Sequence, residues 1–83
     1  MLFIAEIDIM PLKELLDPQG KTVADNLPHI GISGVQNVRI GKHIRMEVTA
    51  ENEAKAYQIV TDACDKLLAN KIMEQYNFSL SHA

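Results

Sequence analysis

The chain has 83 residues, 47% of them hydrophobic and 23% charged, with a net charge of −3. That length supports one hydrophobic core and excludes a two-domain architecture, so residues 1–83 are expected to form a single domain. The acidic balance argues against a general nucleic-acid binder, which needs a basic surface to displace counterions from phosphate.

No apolar stretch approaches the roughly 20 residues that span a bilayer. Glu6 and Asp8 interrupt the apolar start before a signal-peptide core can develop, so no targeting segment is expected. The single cysteine, Cys64, excludes an internal disulfide framework and a cysteine-rich zinc site and fits a cytoplasmic protein. A chain this short has a stability of roughly 4–12 kcal/mol, so burial against partners would add usefully to it.

Residues 3–9 alternate, with Phe3, Ala5, Ile7 and Ile9 on one face and Ile4, Glu6 and Asp8 on the other, which predicts a strand. Asp17-Pro18 places a capping side chain before a proline at the first helical position, so a helix starts at Pro18. Its core contacts would be Val23, Leu27 and Ile30, with Gly31 as the left-handed exit. Pro28 either distorts its last turn or ends the regular helix near Asn26.

Alternation returns from Val35 to Ile40 and from Ile44 to Thr49, which predicts a hairpin. Residues directly opposite each other must share a face, so a three-residue loop of Gly41, Lys42 and His43 is expected, setting Ile40 against Ile44 and Val38 against Met46. Glu51 to Ala69 reads as a long amphipathic helix with Ala56, Tyr57, Ile59, Val60, Ala63, Cys64, Leu67 and Leu68 on its apolar side. Ile72 to Leu80 alternates loosely, as a short edge strand or a docking tail does. The order predicts an α+β, ferredoxin-like βαββαβ domain: an antiparallel sheet with two helices on one face.

No arrangement of catalytic groups emerges. Cys64 falls on the apolar face of the second helix and reads as a buried structural cysteine. His29, His43 and His82 have no spacing that gathers them at a metal, and Ser33, Ser79 and Ser81 have no converging base. Gly31, Gly34 and Gly41 form no phosphate-cradling loop.

The electrostatic irregularity is the predicted hairpin. Residues 35–46 hold Arg39, Lys42 and Arg45 and no acid, while residues 1–34 and 47–83 each sum to −3. In the chosen register Arg39 faces Arg45, so an anion should offset them. One explanation is a solvated cross-strand lattice with Glu6 and Asp8 on the open face; the other is an acidic partner surface or a phosphate. The open face also carries Ile4, Leu2 and Met10, a mixture that suits a protein interface.

Several stretches resemble one family, PurS, the small subunit of phosphoribosylformylglycinamidine synthase. They are Asp17-Pro18-Gln19-Gly20, Val38-Arg39-Ile40-Gly41-Lys42 with the alternating Ile44 to Val48, Lys55-Ala56-Tyr57, Ala63-Cys64, Lys66-Leu67-Leu68-Ala69-Asn70, and Glu74 with Tyr76. Lys71, where the family usually has proline, and Pro28, inside the first helix, depart from the pattern.

The resemblance implies a non-catalytic subunit that self-associates as a dimer or tetramer. It would join a large synthetase subunit to a glutaminase subunit, in the step of purine biosynthesis converting formylglycinamide ribonucleotide, glutamine and ATP to formylglycinamidine ribonucleotide. It implies no cofactor in this chain, ATP and Mg being used by the synthetase partner; the acidic charge balance and the short apolar stretches are what argue against a nucleic acid or a membrane as partner. Arg39, Gly41, Lys42 and Arg45 are the candidate partner contacts; Asp17, Pro18, Gly20, Asn70, Glu74 and Tyr76 are structural motif positions. Charge reversal at Arg39 with Lys42 is expected to weaken synthetase binding and leave the fold intact. The competing reading is a dimeric ligand-sensing module of the same topology. An RNA-recognition module would need stacking aromatics that residues 35–49 lack.

Overall fold

A computed structural model describes all of residues 1–83. Strand β1 (Leu2–Pro11) is the centre of a three-stranded antiparallel sheet, flanked by β2 (Lys42–Thr49) and β3 (Glu74–His82) in the order β2-β1-β3. Its period-two pattern decides which face is inside: Phe3, Ala5, Ile7 and Ile9 are at most 1% exposed. Across the strand, Phe3 opposes Val48, Ala5 opposes Met46 and Ile7 opposes Ile44, while Leu80 and Phe78 face Ala5 and Ile7 from the other side.

Helix α2 (Glu53–Ala63) covers that face. Asn52 caps it, its side chain accepting from the Lys55 amide at 2.9 Å. Ala56, Val60 and Cys64, four residues apart, are fully buried against the sheet. The helix runs on through a π-helical turn (Cys64–Leu68), closed by a hydrogen bond from the Ala69 amide to the Cys64 carbonyl at 3.0 Å. This wider turn shifts the apolar stripe. Leu68 packs against the core while Leu67, expected on the buried side, is 82% exposed.

Helix α1 (Pro18–Asn26) ends where Pro28 requires, and the chain continues as a 3-10 turn (Leu27–Ile30) that Gly31 leaves at φ 83°. The α+β class, the antiparallel sheet and the two helices agree with the sequence reading. The core contacts expected of α1 do not form: Gly20 is its only buried residue, Val23 is 39% exposed and Ile30 in the following turn is 71% exposed.

The predicted hairpin is also corrected. Val35–Ile40 forms no strand, Lys42 and His43 belong to β2 and not to a loop, and Ile44 pairs with Ile7, not Ile40. The reason is hydrogen bonding, because the Ile40 amide that would enter a ladder donates instead to a side chain of another segment, described below. β3 begins and ends two residues later than the expected Ile72–Leu80 and pairs with β1 from Phe3 to Pro11.

The molecule is drawn out as a result, with extents of 51 × 27 × 14 Å and a radius of gyration of 16.5 Å. A compact domain of this length has a radius of about 12 Å. The core under α2 therefore carries the stability of the isolated chain. Ile7→Ala should cost about 2–5 kcal/mol in urea unfolding, and Leu67→Ala should stay within about 0.5 kcal/mol of the parent.

Candidate functional site

The Asp17-Pro18-Gln19-Gly20 stretch and the segment preceding β2 are built into one clasp. Pro18 opens α1, and Asp17, 9% exposed, accepts from the Gly20 amide through Oδ1 at 3.0 Å. Its Oδ2 accepts from the Ile40 amide at 2.7 Å. These two bonds, Gly20 first, hold the Asp17 carboxyl below its ordinary value of 3.8, against the opposing effect of burial, and the nearby Arg39 charge acts in the same direction as the bonds.

Arg39 reaches back the other way, donating from Nη1 to the Leu15 carbonyl at 2.9 Å and from Nη2 to the Leu12 carbonyl at 2.7 Å. Gly20 lets the two segments close, since a Cβ there would overlap the Val38 carbonyl. The expectation that Arg39 faces Arg45 is thus wrong. Arg39 is half-buried in the clasp, and Arg45 lies on the open face of the sheet opposite Glu6.

That open face holds a second group of charges. Arg45 Nε is 3.4 Å from Glu6 Oε1, and Nη1 is 3.8 Å from Glu47 Oε2. His43 stands between the two acids of β1, with Nδ1 2.7 Å from Asp8 Oδ1 and Nε2 2.5 Å from Glu6 Oε2. The cross-strand lattice of Glu6 and Asp8 exists as reasoned, but its cations are Arg45 and His43. Lys42, pointing to the other side of β2, lies 3.9 Å from Glu74. Gly41 is pressed against β1, where a Cβ would collide with the Ile9 carbonyl and Met10 Sδ.

The motif positions near β3 shape the turn into it. The Asn70 amide donates to Glu74 Oε1 at 2.8 Å, and Asn70 Oδ1 accepts from the Ile72 amide at 3.1 Å. The Tyr76 hydroxyl donates to Asp65 Oδ1 at 2.7 Å, and this bond pushes its phenol up to about 12. Lys71 Nζ approaches the same Asp65 oxygen at 3.6 Å, so the lysine is accommodated by an ion pair. Cys64 is buried, which pushes its thiol up and away from nucleophilic chemistry. No group of three His, Cys, Asp or Glu side chains is placed to hold a metal ion.

What the surface offers is contact area. A cleft of about 530 Å³ beside the clasp is lined by Lys13, Leu16, Lys21 and Arg39, and one of about 600 Å³ by Leu15, Leu16, Pro18 and Met73. Leu16 is 78% exposed, and Ile32, Val35 and Ile72 are also exposed.

The family model described as PurS, phosphoribosylformylglycinamidine (FGAM) synthase, matches residues 4–82. The chain belongs to the PurS family. It is 41% identical over 75 residues to phosphoribosylformylglycinamidine synthase subunit PurS of Thermotoga maritima, covering 90% of this chain and 92% of that one. The subunit PurS of Bacillus subtilis is 42% identical over 71 residues, with 83% and 82% covered. Among solved structures, that of PurLQS from Thermotoga maritima matches with a TM-score of 0.90 and 38% identity over 98% of this chain and 99% of that chain. Methanocaldococcus jannaschii PurS matches with a TM-score of 0.85 and 31% identity over 98% of both.

Within this PurS chain, the residues read from the sequence separate into three places. Asp17, Pro18, Gly20 and Arg39 meet in the clasp; Lys42, Asn70 and Glu74 meet at the far end of the sheet; Arg45 is on the open face. His43 was missed as a member of the open-face group because the loop reading placed it in a turn, although its separation of two from Arg45 is the strand signal that would have found it. Clasp closure reverses the usual sign of one substitution. Gly20→Ala within a helix would ordinarily stabilise; here it should destabilise by about 1–3 kcal/mol through overpacking on Val38, read as a lower urea midpoint.

Proposed function

We propose that this chain is the non-catalytic accessory subunit of phosphoribosylformylglycinamidine synthase, acting in purine biosynthesis. In this reading it joins the large ATP-using synthetase to the glutaminase, so that ammonia released from glutamine reaches the synthetase and is not lost. ATP and Mg belong to the synthetase partner, this chain holds no cofactor, and the complex works in the cytoplasm. The observation that carries the reading is the end-to-end likeness to the chain in the PurLQS structure.

The shape supports a role in assembly. An arm whose apolar residues find no cover within its own chain, Ile30, Ile32 and Val35 among them, favours self-association as a dimer or tetramer before or during complex formation. No helix is long and apolar enough to cross a membrane.

Reconstituting the large synthetase and the glutaminase with and without this chain tests the reading. Glutamine-driven amidation should fall sharply without it while ammonia-driven amidation persists; equal glutamine-driven rates would overturn it.

The contact residues need revision. Arg39 holds backbone carbonyls, so reversing its charge would disturb the clasp and could not leave the fold untouched. Lys42 and Arg45 are each 53% exposed at the side chain and are the better probes. Lys42→Glu with Arg45→Gln should leave the thermal midpoint nearly unchanged and weaken synthetase binding by about tenfold or more, measured by calorimetry.

A further inference from the structure

Both ring nitrogens of His43 meet a carboxylate oxygen: Nδ1 meets Asp8 at 2.7 Å and Nε2 meets Glu6 at 2.5 Å. An ionised carboxylate only accepts hydrogen bonds, and a neutral imidazole has one N–H and one lone pair. A neutral His43 would therefore set its lone pair against one of the two oxygens, whereas the imidazolium satisfies both. The register makes this a cross-strand device, because Asp8 and His43 are directly opposed and Glu6 lies opposite Arg45, one same-face position along.

We propose that His43 is a proton-operated cross-strand tie: as the imidazolium it bonds both carboxylates of β1 and reinforces the pairing of the edge strand β2, and on losing a proton it gives up one of those two bonds. The charged groups facing it are few. From β1 they are Glu6 and Asp8; from β2 they are Arg45 on the same face, with Glu47 beyond it; β3 offers only the uncharged Asn77 and Ser79 opposite Asp8 and Glu6. With His43 protonated, the group of Glu6, Asp8, His43 and Arg45 is electrically neutral; with His43 neutral it carries one negative charge.

Hydrogen bonds to Asp8 and then Glu6 raise the His43 pKa above its ordinary 6.5. The tie is consequently complete below that value and is lost as pH rises through the raised one.

Long-range proton–nitrogen NMR of the imidazole rings tests this directly. Below the ordinary imidazole value of 6.5 the His43 ring should show two N–H nitrogens, both shifted by the carboxylates they meet, and its titration midpoint should lie above that of the same residue in the urea-unfolded chain. Glu6→Gln with Asp8→Asn should bring the midpoint back down. The thermal-midpoint advantage of the parent over His43→Gln should be greatest below the unfolded-chain midpoint and shrink away as pH rises through the folded-state midpoint. A midpoint equal to or below that of the unfolded chain, or a parent-to-variant gap independent of pH, would each overturn the proposal.

Discussion

The structure depends on covering one face of β1. Four alternate side chains, Phe3, Ala5, Ile7 and Ile9, are almost wholly removed from water, and each neighbouring element is positioned by its contact with them. β2 and β3 complete the sheet so that β1 has no free edge, and α2 supplies Ala56, Val60 and Cys64 as a stripe of small and medium side chains that lets the helix lie close. The π-helical turn follows from the same requirement, since it brings Leu68 onto the core before the chain must turn back toward β3.

The remainder of the chain, from Leu12 to Gly41, is held by polar rather than apolar contacts. Asp17 binds one backbone amide on each side of the clasp, and Arg39 binds two carbonyls. Such bonds set geometry well but leave apolar surface in water, and α1 with the turn after it shows that surface. An arm that is oriented but not covered is suited to a subunit whose burial is completed by other chains. The elongated outline and the exposed Ile30 and Leu16 have the same origin.

The parts of the fold legible in the sequence were those whose burial is decided within the chain. β1 read clearly because its period matches the face it hides, and so did Ala56, Val60 and Cys64 of α2, whereas Tyr57, Ile59 and Leu67 from the expected apolar side are exposed. Val35–Ile40 has the same period of two but forms no strand, because the Ile40 amide donates to Asp17 and no strand of this chain lies beside the segment. Val23 and Ile30 failed for a related reason: a helical apolar spacing says that a face wants cover but not which molecule provides it. The cap at Asp17 was legible as a cap, but its second oxygen's bond to the Ile40 amide joins residues 23 apart and leaves no local signal. The same limit hid His43, whose neighbours Glu6 and Asp8 come into range only through strand pairing.

The distribution of charge follows from these placements. Arg39, Lys42 and Arg45 are close in sequence and suggested a concentrated basic patch, yet the fold sends them to three different sites and supplies each with its own acceptor. Arg39 meets two carbonyls beside Asp17, Lys42 approaches Glu74, and Arg45 approaches Glu6 and Glu47. Exposed pairs of this kind contribute little to stability and can be exchanged for a partner's carboxylate at small cost. The charges are therefore suited to steering and register, while the affinity of any assembly must come from the apolar arm and from Leu16 between the two clefts.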